Sequence, residues 1–312
     1  MTWLIGAGFM AKEYIKVLKH LHEDFFVIGR NPENCTQIAE EFGCKTIASG
    51  IEAFLASKPE LPDNVIVAVG IEALKDVTAV LLDHGVKNIL LEKPGVAYAD
   101  EVNDLAALAR KKNANVLLAY NRRFYASVLR AEEIIKEDGG VRSFHFEFTE
   151  WSHIISTLKK TKEEHNNWFL GNSTHVIDTA FYLCGKPVEW NAYYKGSLDW
   201  HPASSVFSGA GISDTDALFS YHADWQAPGR WSIEVLTAKR RLIFKPLESL
   251  QIQQLGSVAI APEQLDDKLD TEFKPGLYLQ TQRFLKGDRD RFCTIDQQKE
   301  MINKYYKKMS GY

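Results

Sequence analysis

The sequence predicts an α/β chain in two parts: a doubly wound parallel sheet first, then an α+β part built on a large, mostly antiparallel open sheet. Three observations predict it. The chain opens with a short apolar strand, Trp3–Ile5, that runs into Gly6-Ala7-Gly8-Phe9-Met10-Ala11 and then into a helical pattern. Strand-like and helix-like stretches then alternate six times within the first 120 residues. Near Arg122 the pattern changes to segments of strict apolar/polar alternation. The expected division is 1–121 for the first domain and 122–312 for the second.

Taken in order, Met10, Tyr14, Val17, Leu18 and Leu21 share one face of the first helix. Phe25–Ile28 reads as the second strand, ending at Gly29-Arg30-Asn31. Asn31 is placed to cap the next helix, with Pro32 at its first position and Gly43 past its end. Lys45–Ala48 reads as a short strand and Ile51–Ser57 as a short helix. Asn64–Val69 is a β-branched apolar run suited to a buried parallel strand. A helix from Leu74 to Asp83, a strand from Lys87 to Leu91, a helix from Asp100 to Lys112 and a strand from Val116 to Tyr120 complete the first part.

In the second part a helix is expected over Ala126–Glu137, stopped by Gly139-Gly140. Strands are expected at Val141–Thr149, Val188–Tyr194, Ala217–Tyr221, Trp231–Leu236 and Arg241–Phe244. The one strong helical segment between them is His175–Leu183, with Gly185 as its stop. Helices over Tyr278–Leu285 and Gln297–Lys308 close the chain, and Lys304, Lys307 and Lys308 read as a solvated face.

The totals narrow the function. A chain of 312 residues with 45% hydrophobic residues can bury two cores. A net charge of −4, with basic and acidic residues interspersed, gives no footprint for nucleic acid or a membrane surface. The four cysteines are scattered without metal-like pairing, which suggests no metal site and a reduced, cytoplasmic chain. The first strand begins right after Met1, so no signal peptide is expected, and no apolar run is long enough to span a membrane.

The glycine turn carries the chemistry. Gly6 permits a tight turn, Gly8 leaves the backbone open to a pyrophosphate, and Ala11 keeps helix close to strand. In an open parallel sheet, ligands bind beyond the carboxyl ends of the strands. The residues expected there are Gly6, Ala7, Gly8, Phe9 and Met10, then Gly29, Arg30 and Asn31, then Val69 and Gly70, then Glu92 and Lys93. A site for NAD usually carries an acid at the end of the second strand, for the ribose 2′-hydroxyl. Gly29 stands there instead, followed by Arg30, whose guanidinium suits a 2′-phosphate. The expected cofactor is therefore NADP, with NAD possible; the alternative is that Arg30 is an ordinary surface arginine. Lys93, at the end of the fifth strand before Pro94, is either an exposed partner of Glu92 or a residue aimed at the cleft beside the nicotinamide. His175 has Asp178 one turn later, which either orients the imidazole or charges the first helical turn.

These motifs together resemble the Gfo/Idh/MocA family (glucose–fructose oxidoreductase, inositol dehydrogenase, rhizopine catabolism). The marks, in order, are Gly6–Ala11, Glu92-Lys93-Pro94, Tyr120-Asn121-Arg122-Arg123-Phe124 and His175-Val176-Ile177-Asp178. The resemblance implies a Rossmann domain, a second domain whose open sheet often forms an oligomer interface, and hydride transfer between NAD(P) and a sugar, nucleotide sugar or cyclitol. It also implies Lys93 and His175 as the catalytic pair, and Glu92, Lys93 and Arg123 on the nicotinamide side. Many members carry Asp four residues before the histidine and Gly two before it, where this chain has Gly171 and Ser173.

The resulting expectation is a cytoplasmic, NADP-preferring dehydrogenase acting on a carbohydrate-like hydroxyl/ketone pair, assembled as a homodimer or homotetramer. Expected substrate-binding residues are Lys93, Tyr120, Trp168, Asn172, His175 and Asp178. The rival readings are an NADP-sensing regulator on the same fold, or a reductase of an imine or tetrapyrrole-like substrate. Trp151, Trp168, Trp200 and Trp225 offer surfaces on which a ring of either kind stacks, although core packing explains most aromatic content.

Overall fold

The computed structural model describes residues 1–311, which divide into two compact units. The first is Met1–Asn121 together with Glu272–Ile302; the second is Arg122–Thr271 and the segment from Asn303 on.

The first unit holds a seven-stranded sheet. Its strands are β1 (Thr2–Ile5), β2 (Phe25–Ile28), β3 (Thr46–Ile47), β4 (Asn64–Val67), β5 (Asn88–Leu91), β6 (Asn115–Leu118) and, from far along the chain, β15 (Cys293–Thr294). The spatial order is β15-β6-β5-β4-β1-β2-β3, and every pairing is parallel except β15 with β6. Strand order reverses between β1 and β4, so the carboxyl ends of these two strands flank a switch point. The interior strands are apolar throughout: all four residues of β1 are buried, as are the last three of β4, β5 and β6. Helices α1 (Phe9–His20), α2 (Pro32–Phe42), α3 (Gly50–Ala56), α4 (Leu74–Asp83) and α5 (Val102–Lys111) connect them. On α1 the buried stripe is Ala11, Tyr14, Ile15, Val17 and Leu18; Met10 and Leu21, expected on that face, lie at its half-exposed margins. On α2 the cap is the expected one: Asn31 accepts from the Asn34 amide at 2.9 Å, Pro32 opens the helix, and Gly43 ends it at φ +60°.

The second unit holds an eight-stranded sheet. Its strands are β7 (Ser143–Glu147), β8 (Pro187–Lys195), β9 (Val206–Ser213), β10 (Leu218–Asp224), β11 (Ser232–Leu236), β12 (Arg240–Phe244), β13 (Gln251–Gln254) and β14 (Ile260–Pro262), in the order β14-β13-β12-β11-β7-β10-β9-β8. All neighbours run antiparallel except β7 with β10. The helices are α6 (Ala126–Glu137), α7 (Ser152–Ile155), α8 (Lys162–Asn166), α9 (Thr174–Cys184), α10 (Lys268–Glu272), α11 (Leu277–Leu285), α12 (Ile295–Glu300) and α13 (Lys307–Ser310), of which α11 and α12 belong to the first unit. One sheet face is an aromatic core. Phe144 stacks on Phe219, Phe146 stacks on Tyr221, and Phe181 of α9 meets Phe146 edge-on at 5.4 Å. The alternation Ser143-Phe144-His145-Phe146-Glu147 produces that face directly.

Several expectations are corrected. Residues 272–302 group with the first unit, where α11 packs on α1 and β15 adds an antiparallel edge to β6. Strands β9, β13 and β14 carry too few apolar residues in alternation to stand out; β9 contains Gly209 and Gly211, which lie flat against Tyr221 and Trp190. His175 does not open its helix, because a π-helical turn, Phe169–Ser173, leads continuously into α9. Lys308 is not simply solvated: its ammonium donates to the Trp190 carbonyl at 2.8 Å and lies over that ring.

Candidate functional site

In the first unit, β1 ends at Ile5 and Gly6 takes φ +121°. A Cβ there would fall 2.2 Å from the Ala68 carbonyl oxygen, so only glycine lets β1 turn this close to the end of β4. Gly8 is the N-cap of α1, has no side chain to bond the helix amides, and has open space where a Cβ would stand. The first turn of α1 carries no acid. The helix therefore presents unfilled amides and the positive end of its dipole at the switch point, an arrangement suited to a pyrophosphate. These residues fit a dinucleotide. Phe9 is 70% exposed beside this turn, with the Lys274 ammonium over its ring.

Gly29, at the end of β2, has a physical reason to lack a side chain. A Cβ there would come within 2.4 Å of the Cys35 sulfur and 3.0 Å of the Ala7 methyl. No carboxylate fits at this position. Arg30 follows, exposed, with its stem beside the Ser49-Gly50 turn. Asn31 spends its side-chain oxygen on the α2 cap. Val69 is half-buried and Gly70 exposed, with open space at its Cβ position.

After β5 the chain enters Glu92-Lys93-Pro94. Glu92 is 9% exposed and accepts from the Tyr14 hydroxyl of α1 at 2.8 Å. Burial raises the Glu92 carboxyl above the usual range, and Lys93, the Tyr14 hydroxyl and Lys274 oppose that rise. Lys93 is half-buried, and the Lys93–Pro94 peptide bond is cis. The Pro94 carbonyl accepts from the Gln298 amide of α12 at 2.9 Å, and the Gln298 oxygen accepts from the Tyr120 hydroxyl at 3.2 Å. Tyr120 is 1% exposed and braces this turn from inside the first unit. Neither Tyr14 nor Gln298 stood out in the sequence, where one read as core and the other as part of a terminal helix.

In the second unit, Arg123 and Asp178 form a buried two-pronged pair. Arg123 Nε donates to Asp178 Oδ2 at 2.8 Å and Nη2 to Oδ1 at 2.6 Å; Asp178 is 1% exposed. Both Asp178 oxygens are thereby engaged by Arg123. The pair braces the 122–124 turn against α9. His175, 6% exposed, lies one turn before Asp178 with its ring 6.1 Å from that of Trp231.

The π-helical turn before α9 reveals a group that sequence reasoning missed. Glu150, 1% exposed, accepts from the Asn172 amide at 2.9 and 3.1 Å and from the Ser173 hydroxyl at 2.9 Å. Asn172 was expected at a substrate; it holds this carboxyl. Burial pushes Glu150 up to about 7, against the pull of the Ser173 and Asn172 donors and of Arg230. Its folded value thus exceeds the ordinary 4.5. Stability present below about 4.5 is lost as the pH rises to about 7, a loss on the order of 3 kcal/mol. Denaturation midpoints across that window should fall for the native chain and stay flatter for Glu150→Gln; parallel curves would contradict the assignment.

Glu150 also lines a cavity of about 1150 Å³ whose walls include Trp151, His153, Trp200 and Trp225. Trp200 stacks on Trp225 at 5.7 Å and meets Trp168 edge-on at 6.0 Å. Trp168 is thus placed behind Trp200 in the same aromatic cluster.

With this geometry in view, comparison with known proteins is informative. Residues 2–120 match the model of the oxidoreductase family with an NAD-binding Rossmann fold, Gfo/Idh/MocA. A levoglucosan dehydrogenase of Pseudarthrobacter phenanthrenivorans is 26% identical over 224 residues, 66% of this chain and 56% of that protein. An uncharacterized oxidoreductase of Streptococcus pneumoniae is 24% identical over 186 residues, 58% of this chain and 49% of that one. The matched stretch spans about half the length of these relatives. In structure, levoglucosan dehydrogenase in complex with NADH and L-sorbose aligns with TM-score 0.76 at 18% identity, covering 96% of this chain and 93% of that one, which shows the shared fold. The Gfo/Idh/MocA match ends one residue before Asn121, at the boundary between the two compact units. No helix among the described residues is long and apolar enough to cross a membrane.

Proposed function

We propose that this chain is an NAD(P)-dependent oxidoreductase that interconverts a hydroxyl and a ketone on a carbohydrate-like substrate. The observation that carries the reading is the uncapped α1 start behind Gly6 and Gly8, at the β1/β4 switch point of a region with an NAD-binding family match. Sugar dehydrogenases among the relatives support the substrate class. Free thiols on all four cysteines support a reducing, cytoplasmic setting.

The residues proposed to hold the dinucleotide are Gly6 to Met10, Gly29, Arg30, the Asn31 backbone, Val69, Gly70 and Glu92. When bound, the nicotinamide supplies hydride exchange at its C4 position. Lys93 and His175 hold and exchange the substrate hydroxyl proton, one bearing it while the other fixes the oxygen. Glu92, tied to Tyr14, and the Pro94 carbonyl, tied to Gln298, fix the backbone on either side of Lys93. Measuring reduced-nicotinamide formation across a panel of sugars and cyclitols tests the reading. Tight dinucleotide binding with no turnover on any of them would favour an NADP-sensing regulator instead.

The preferred cofactor is proposed to be NADP, because Gly29 leaves no room for an acid and Arg30 supplies a cation. NADPH should bind more tightly than NADH, and Arg30→Ala should narrow the gap by about tenfold to a hundredfold, the worth of a charge-assisted contact of roughly 1.5–3 kcal/mol. Equal affinities in the native chain would sink this preference.

A homodimer or homotetramer is proposed from the open face of the second sheet. Tyr193, Leu218 and Leu236 are 70%, 60% and 38% exposed on it. Sedimentation at micromolar concentration should return a multiple of the 35.4 kDa chain mass. A single-chain mass would overturn it.

A further inference from the structure

We propose that the amino end of the first sheet carries a second ligand site, a pocket lined by Asn64, Asn88, Asn115, Lys286 and Arg289 that takes a small oxyanion borne on a short carbon body. It lies at the opposite end of the parallel strands from the glycine turn, which separates it from the dinucleotide position.

The pocket encloses about 300 Å³ between the starts of β4, β5 and β6 and the end of α11. That is the volume of about ten waters, room for a molecule of a few carbons. The three asparagines are the first residues of their strands. Asn88 stands opposite Asn115, and Val65, next after Asn64, stands opposite Ile89, next after Asn88. The amides therefore form one row, at about the 4.8 Å spacing of neighbouring strands. The row is already oriented. Asn115 Nδ2 donates to Asn88 Oδ1 at 3.1 Å, and Asn88 Nδ2 donates to the Asp63 carbonyl at 3.0 Å. The Asn64 side chain makes no hydrogen bond among the described residues, which leaves its amide donors to a ligand. Leu117 and Phe284, both buried, add an apolar part to the lining.

Charge decides the sign of the ligand. Neither the Lys286 nor the Arg289 side chain has a hydrogen bond or ion pair among the described residues. The acid in the lining, Asp63, accepts from the Met1 ammonium at 2.8 Å. In the turn beyond α11, Asp288 is paired with Arg283 at 3.2 Å, and neither Asp288 nor Asp290 lines the pocket. The local surplus is therefore positive, on a chain whose net charge is −4. Gly287, at φ +72°, closes α11: its amide donates to the Phe284 carbonyl and the Asp288 amide to the Arg283 carbonyl, each at 3.0 Å. Those bonds occupy carbonyls at a helix end that would otherwise repel an anion. The same turn brings Lys286 and Arg289 to one pocket, where a guanidinium offers paired donors to a carboxylate or a phosphate.

The test is a calorimetric titration of the full chain with inorganic phosphate, glycerol 3-phosphate and succinate at low ionic strength, with and without NADPH. At least one probe should bind saturably whether or not NADPH is present, and added KCl should weaken it. Lys286→Ala and Arg289→Ala should each weaken that binding tenfold or more, and Asn64→Ala several-fold. Both cations are exposed, so their variants keep the fold and the asparagine row intact. Stronger binding of glycerol 3-phosphate than of succinate supports a phosphate ligand, and the reverse a carboxylate. Binding of equal strength in the native chain and both cation variants, binding that NADPH abolishes, or no saturable heat with any probe overturns the proposal.

Discussion

Replacing Lys93 by methionine should lower turnover by about a hundredfold to ten-thousandfold while leaving NADPH affinity nearly intact, the usual worth of a positioned proton-exchanging group. The expectation of intact affinity comes from the local bracing. Glu92 is held by Tyr14 and the Pro94 carbonyl by Gln298, so the side chain between them can change while the turn keeps its path. The glycine turn proposed to receive a pyrophosphate is built by other residues, around Gly6 and the start of α1. His175→Asn should produce a loss of the same order. The double variant should lose little beyond the worse single one, because groups in one proton path are not additive. Steady-state rates and dinucleotide titrations on all three variants check this. Losses that multiply fully would assign separate duties, with Lys93 seating the cofactor and His175 binding substrate. Full activity in either single variant would remove that residue from the mechanism.

The second large effect is on stability. Arg123→Leu should cost about 3–5 kcal/mol, because it strands the Asp178 carboxylate, 1% exposed, without its two-pronged partner. Removing both charges, as Arg123→Met with Asp178→Leu, should recover much of that loss, since a buried pair replaced by apolar groups of similar volume is often near neutral. Denaturant midpoints of the single and double variants decide it. A single-variant loss below about 1 kcal/mol would mean that water reaches the pair and that it behaves like a surface bridge.

Much of this was legible because local chemistry and the final architecture agree. The glycine turn, the Asn31–Pro32–Gly43 punctuation and the apolar runs of β4, β5 and β6 each specify their own conformation. The second sheet was legible where one face is buried, as at Ser143–Glu147. It was opaque at β9, where glycines take the place of the alternating apolar residues. Candidate residues were found by position at strand ends, but their partners were not. The sequence separations are large: 55 residues from Arg123 to Asp178, 78 from Tyr14 to Glu92 and 204 from Pro94 to Gln298. Glu150 was hidden differently. It follows a β-strand as one acid among several, and only its bonds to Asn172 and Ser173 distinguish it from the likewise buried Glu147.

The long reach from Pro94 to Gln298 bears on the order in which the molecule is completed as it is synthesised. The six parallel strands and the glycine turn are all encoded before residue 120, so the glycine-turn end of the first unit is available early. The Lys93 turn is not. Until Cys293–Thr294 pairs with β6 and α12 brings Gln298 beneath Pro94, that edge strand is open and the turn lacks its inner brace. A ribosome-bound chain stopped before residue 293 would therefore hold the glycine turn of the first unit but lack the brace beneath Pro94.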